Sequence, residues 1–366
     1  MENLFDYLGR TASVSFAEQS FNDVDALALA RLSYAPFDGI VGEGFQNQTS
    51  LEDACARLLA DPAVEQKLLP KQDRRFLSLL QSSRRFGKLW ISGYQKQTDE
   101  TTDKQFAALC IQLLDGCYYL SFRGTDDTLS GWKENFDMSF LMAVPAQLAA
   151  AEYVAQASRD LSGSLWLGGH SKGGNLAVYG AAFCPPQVQT SIGKVWNFDG
   201  PGFRKSVVEQ QGYQSVVDRV ETFVPQSSVV GMLLEHEEDY TIVRSSQKGL
   251  LQHDPYTWGI QGNRFVTLKT TTQTSKLVDE TIKDWLAQLS CAQREEFIEA
   301  LFTVIDQTGA KTVKELSTNW YRTAGSVLRS LTRLDGNMRK AVLYTLWALL
   351  KAVGENLLEE LVSQED

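Results

Sequence analysis

The sequence predicts an α/β fold with a mostly parallel central sheet, a helical N-terminal region and an all-helical C-terminal extension. Three observations carry this. Between residues 86 and 272, short apolar runs bounded by turn residues alternate with helix-like stretches, the signature of strands interleaved with helices. Before residue 85 the capping residues and apolar spacing are those of helices. Beyond residue 273 the strand signals stop. The expected organisation is therefore 1–85 packing on a core at 86–272, followed by a helical extension at 273–366. A chain of 366 residues is longer than one typical core, in keeping with more than one unit.

The elements follow in order. Asn22-Asp23-Val24-Asp25 has the form of a helix N-cap before Ala26 to Leu32. Ser50-Leu51-Glu52-Asp53 has capping-box form before Ala54 to Leu59. Phe37 to Gly44 reads as a loop. Lys88 to Tyr94 reads as a strand. Phe106 to Leu113 and Cys117 to Phe122 flank Asp115-Gly116, a strong hairpin signal. A helix is expected near 145–160, a strand through Leu165-Trp166-Leu167, and a helix that must stop before Pro185-Pro186. Ile192 to Phe198, Arg219 to Val224 and Tyr240 to Arg244 read as further strands. Lys276 to Leu289, Gln293 to Ile305, Val313 to Leu331 and Met338 to Leu361 suit helices.

Composition narrows the function. The apolar fraction of 43% and charged fraction of 22% are those of an ordinary globular protein. A net charge of −10 argues against nucleic acid as a partner, because phosphate binding needs a concentrated basic surface. Five scattered cysteines, an odd number without C-x-x-C pairs, suggest neither a disulfide framework nor a metal site. They fit a reducing compartment. No signal peptide is evident at Met1 to Asp6, and Ala341 to Val353 falls short of the about 20 apolar residues a membrane span needs. The expected location is cytoplasmic, with no transmembrane segment and no cofactor.

The chemistry starts at Gly169-His170-Ser171-Lys172-Gly173, a G-x-S-x-G pentapeptide between a strand and a helix. A serine on so sharp a turn is strained, and side chains at the two glycine positions would collide with the turn. The turn also sets Ser171 at a helix N-terminus, beside free backbone N–H groups. The strand–turn–helix context favours a nucleophile over a glycine-rich turn that merely packs tightly.

A second motif, Ser121-Phe122-Arg123-Gly124-Thr125, closes an earlier strand. With G-H-S-x-G about one βα unit later, it resembles the class 3 lipases. These are α/β hydrolases that cleave acyl esters through a Ser-His-Asp triad. The run Gly-His-Ser-Lys-Gly-Gly-Asn-Leu-Ala from Gly169 to Ala177, with Gln252-His253-Asp254-Pro255, is similar to a bacterial branch of that superfamily. The resemblance covers roughly residues 25–260 and does not extend to the helical tail. It implies an oxyanion hole built from Thr125, which can offer its N–H and hydroxyl, and from the backbone N–H of Lys172. Arg123 is expected to brace the loop.

Three histidines are candidates for the base. His170 precedes the nucleophile, points away from its attack direction, and is expected to support the turn. His236 lies among acids. His253 follows the last clear strand, where α/β hydrolases carry their base in the order Ser, Asp, His.

The acid departs from the class 3 pattern. The stretch equivalent to their Asp-Ile-Val-Pro is Ser228-Val229-Val230-Gly231, with serine in the acid's place. Asp199, at the end of a strand and before Gly200-Pro201-Gly202, is the substitute, as in the pancreatic lipases. The alternative is that Asp199 only accepts N–H groups of its own turn. Ser228 is then left to bond the imidazole or line the pocket. Asp254, adjacent to the base, is poorly placed to orient it.

Lys172, a cation at a helix N-terminus, is expected to pair with Asp126 or Asp127, or else to face an acidic substrate. Phe136, Phe140, Leu141, Met142, Ala143, Val144 and Pro145 are expected to line or cover an acyl pocket, or to pack the next helix. Trp285, Trp320 and Trp347 mark late helices that would dock on the core or form the surface of a homo-oligomer. The expectation is a serine carboxylic-ester hydrolase acting on a small acyl ester through Ser171, His253 and Asp199. The competing class is a non-catalytic scaffold that binds a ligand or a protein.

Overall fold

The structure is a computed structural model. It describes residues 1–68, 70–99, 101–102, 104–114, 116–125, 133, 138, 143–226, 228, 237–247, 249–269, 291–306, 309, 336, 339 and 342. Its centre is a sheet ordered β1-β2-β3-β4-β5-β6-β7-β8-β11. The strands are β1 (Thr49–Ser50), β2 (Trp90–Asp99), β3 (Lys104–Leu114), β4 (Cys117–Phe122), β5 (Ser164–His170), β6 (Ile192–Phe198), β7 (Val220–Pro225), β8 (Tyr240–Val243) and β11 (Thr267–Leu268). A separate hairpin pairs β9 (Ile260–Gln261) with β10 (Arg264–Phe265).

The sheet is mixed rather than mostly parallel. Strands β4 to β8 pair in parallel. The margins are antiparallel, with β1 on β2, β2 on β3, β3 on β4 and β11 on β8. Chain length between strands explains the difference. Leu114 pairs with Cys117 across a tight turn carrying Gly116 at φ 71°, and such a link allows only an antiparallel return. Parallel neighbours need a crossover, and the helices Pro145–Asp160 and Lys172–Phe183 supply two of them.

Alternation along the strands divides the core in two. Leu109, Ile111 and Tyr119 face one side, where they meet Leu27, Leu29 and other residues of the helices Leu4–Thr11, Asp23–Leu32, Leu51–Leu59 and Asp73–Gln81. Ala108, Cys110, Leu120 and Phe122 face the other side and pack on the helices at 145–160 and 172–183. The N-terminal helices are thus one layer of the sandwich. Their segment is not purely helical, since Thr49–Ser50 adds an edge strand to the sheet.

Local caps set these helices. Asn22 accepts from the N–H groups of Val24 and Asp25, and Asp25 Oδ2 accepts from Asn22 N at 3.0 Å. Ser50 Oγ accepts from Asp53 N at 3.2 Å. Of the C-terminal extension, the helix Cys291–Asp306 is described, with Phe297, Leu301, Phe302, Val304 and Ile305 buried. Glu299 on this helix lies 3.5 Å from Lys133 Nζ. Trp285, Trp320 and Trp347 lie outside the described residues. Among the described residues, no helix is long and apolar enough to cross a membrane.

Candidate active site

The site forms where β4, β5 and β6 end side by side. Ser171 follows β5 with φ 59° and ψ −135° and opens the helix Lys172–Phe183. A non-glycine residue with positive φ costs on the order of 1–3 kcal/mol, so the surrounding structure must hold it there. Two bonds do so. Ser171 N donates to Phe198 O at 2.9 Å, and Gly174 N donates to Ser171 O at 2.9 Å. The glycines leave the room required. A Cβ on Gly169 would run into the Gly173 carbonyl, and one on Gly173 into the Phe122 carbonyl oxygen. Close packing of strand, turn and helix therefore excludes any side chain at both positions.

Asp199 is the second residue held at positive φ, at 53°. It follows β6, is fully buried, and its N–H donates to Phe223 O at 2.8 Å. The Gly200 N–H of its own turn goes instead to Asn197 Oδ1 at 2.9 Å. The Asp199 carboxylate is directed elsewhere. Its Oδ2 lies 2.6 Å from His253 Nδ1 and its Oδ1 accepts from Ser228 Oγ. Since a carboxylate only accepts, His253 carries a proton on Nδ1, which leaves Nε2 as the ring nitrogen not bound to Asp199.

Ser228 is buried and spends its hydroxyl on Asp199 rather than on the imidazole. Asp254 Oδ1 caps its own turn, accepting from Tyr256 N at 2.9 Å.

The loop after β4 approaches the same point. Arg123 N still donates to Ala107 O at 3.0 Å, continuing the ladder. A Cβ on Gly124 would stand 3.1 Å from Ser171 Cβ and 2.6 Å from His170 O. Thr125, half-buried, is the next residue. The Lys172 N–H lies in the first turn of the following helix. The Lys172 side chain is fully buried and donates from Nζ to Gln105 O on β3 at 2.8 Å. Asp126 and Asp127 lie outside the described residues, as do His236, Phe136, Phe140, Leu141 and Met142. Val144 is buried, its N–H donating to Gln147 Oε1 at 3.0 Å, and Pro145 fills the first helical position.

His170 supports the turn as expected, whereas Tyr34, Arg31 and Asp73 around it carry no signal in the sequence. His170 Nε2 is 2.8 Å from the backbone carbonyl oxygen of His253, and the two rings lie 4.6 Å apart. The Tyr34 hydroxyl is 3.2 Å from His170 O and 3.4 Å from His170 Nδ1. Below it, Arg31 stacks on the Tyr34 ring at 4.0 Å and forms a buried pair with Asp73. Asp73 also accepts from the Tyr256 hydroxyl, three residues beyond His253. On the far side, Asn175 Nδ2 donates to Pro201 O and Gly202 O, each at 3.0 Å, and pins the loop after Asp199.

A strained serine at a strand–helix turn, and a buried carboxylate bonded to a partly exposed imidazole, stand at neighbouring strand ends of one α/β scaffold. The family model described as Mbeg1-like matches residues 80–303, and the chain belongs to that lipase-like family. Similar solved structures include M37 lipase, with 13% identity over 56% of this chain and 68% of that one, at a TM-score of 0.35. The Rhizomucor miehei lipase propeptide complex shows 15% identity over 53% and 66%, also at 0.35. A lipase from Rhizopus microsporus var. chinensis shows 13% over 62% and 85%, at 0.33. A comparison with curated proteins gives no match.

Proposed function

We propose that the chain is a serine hydrolase that cleaves carboxylic acyl esters through an acyl-enzyme intermediate. The observation that supports this most is the 2.6 Å bond between His253 Nδ1 and Asp199 Oδ2, made where Ser171 is held at φ 59°. In this reading, Ser171 Oγ attacks the ester carbonyl carbon and its proton passes to His253 Nε2. Asp199 fixes the tautomer and stabilises the imidazolium. The oxyanion accepts from the backbone N–H groups of Thr125 and Lys172. His253 then protonates the leaving alcohol, and water releases the acid by the same steps in reverse.

Among the described residues, no hydrogen bond joins Ser171 Oγ to the His253 ring. Such contacts are often loose in unliganded enzymes and tighten in the substrate complex. The reading needs no metal or organic cofactor.

The test is hydrolysis of a panel of p-nitrophenyl esters by the full chain and three variants. Activity is expected in the wild type, with loss in Ser171→Ala and His253→Ala. Asp199→Asn is expected to lower kcat by about 10³- to 10⁴-fold, since the amide favours the wrong tautomer. A wild type inactive on every ester would favour a binding scaffold instead. Near-full activity of Asp199→Asn would remove Asp199 from the relay.

A further inference from the structure

We infer that His170 is a positioning residue, whose Nε2–H ties the nucleophile turn to the backbone of His253 and so sets where the base stands. The inference rests on the hydrolase reading above and adds a role that the triad itself does not contain.

The observations are geometric. His170 ends β5 directly before Ser171, and its ring is buried. Its Nε2 is 2.8 Å from the His253 carbonyl oxygen, which can only accept, so the proton sits on Nε2. Nδ1 then carries a lone pair and faces the Tyr34 hydroxyl at 3.4 Å. The Tyr34 hydroxyl also packs against Gly124, where a Cβ would run into it. One tyrosine therefore touches both the loop before Thr125 and the strand before Ser171.

The groups that act electrostatically on the ring are His253 and Arg31, both of which oppose a positive charge on it. Burial is the larger cause, and together they hold His170 well below the usual histidine range. A neutral ring suits the task. A second imidazolium 4.6 Å from His253 would oppose the charge that His253 must take up in the transition state.

The carbonyl bond fixes the chain at His253, while the Asp199 bond fixes its ring. Losing either lets the base drift, and a displacement of about 1 Å costs on the order of 10²-fold in rate. This loss falls on kcat, because His170 lies behind the turn rather than against substrate.

The experiment compares full-length wild type, His170→Gln and His170→Phe in fluorophosphonate labelling rate and in kcat and KM for a p-nitrophenyl ester. Glutamine can place an amide N–H near the position of Nε2, whereas phenylalanine fills the volume without a donor. The expected result is His170→Gln within about threefold of wild type and His170→Phe slowed by about 10- to 100-fold in kcat with KM little changed. Nitrogen NMR on ¹⁵N-histidine protein gives a second readout that does not depend on a variant folding. The His170 signal is expected to be neutral, with its proton on Nε2, at pH 6.5, where an ordinary histidine is half protonated. An Nδ1–H tautomer, or ordinary titration near pH 6.5, overturns the inference. Equal labelling of wild type and folded His170→Phe overturns it while leaving the hydrolase reading intact. A wild type that neither labels nor turns over ester overturns both.

Discussion

The hydroxyl of Ser228 donates to Oδ1 of Asp199, the carboxylate whose other oxygen binds His253 Nδ1. Ser228 is the residue that the class 3 resemblance sets in the acid's place. Here that position braces a carboxylate supplied by the preceding strand, β6. Two adjacent strand ends, those of β6 and β7, thus meet on one carboxylate.

Ser228→Ala removes one donor from a fully buried carboxylate. Such a loss costs about 1–3 kcal/mol. Urea denaturation is expected to show a fall of that size. Ester turnover should also drop, by less than in Asp199→Asn. Unchanged stability and turnover would mean that the bond contributes nothing.

Gly173→Ala places a methyl group against the Phe122 carbonyl oxygen, a backbone atom that cannot swing away. Overpacking of this kind costs about 1–3 kcal/mol, and the strain falls on the Ser171 turn. A lowered Tm and reduced turnover are expected. Gly9→Ala is the control, since nothing lies within 4 Å of a Cβ there and alanine is the better helix former. A Gly173→Ala protein as stable and active as that control would refute the close packing.

Stability should depend on pH through His170. Its folded-state pKa lies well below the ordinary 6.5, so below pH 6.5 the unfolded chain binds a proton that the folded chain does not. The contribution is fully present above about pH 6.5 and is lost as pH falls toward the lowered value, at up to about 1.4 kcal/mol per pH unit. Denaturation of wild type and His170→Gln between pH 5 and 7.5 checks this. The wild type should lose more stability on acidification than the variant, and parallel curves would contradict the burial of a neutral ring.

How far the sequence was legible depends on whether a signal was local. The elbow at 169–173, the strand Ile192–Phe198 and the Asn22 cap are written in neighbouring residues, and the structure places each as expected. Strand β2 runs on to Asp99, past the apolar stretch ending at Tyr94, because its exposed outer residues pair with β3 without needing burial. The edge strand Thr49–Ser50 is too short to show any period.

The pairing of Asp199 with His253 followed from strand-end logic. Its second partner Ser228 was visible only as a substitution in a familiar place. Tyr34, Arg31 and Asp73 were invisible. They reach the site because the N-terminal helices pack on the sheet, and nothing in their local pattern encodes that meeting. Lys172 was expected to pair with Asp126 or Asp127 or to face an acidic substrate; those aspartates lie outside the described residues, and its buried ammonium also donates to the Gln105 carbonyl, a partner no local pattern announces.

The most direct measurement is peptide mapping by mass spectrometry of the full chain after reaction with a fluorophosphonate. The predicted result is a single adduct on Ser171 that disappears in Ser171→Ala. The absence of any adduct on folded wild-type protein, or an adduct on another residue that survives Ser171→Ala, would contradict the assignment of Ser171 as the nucleophile.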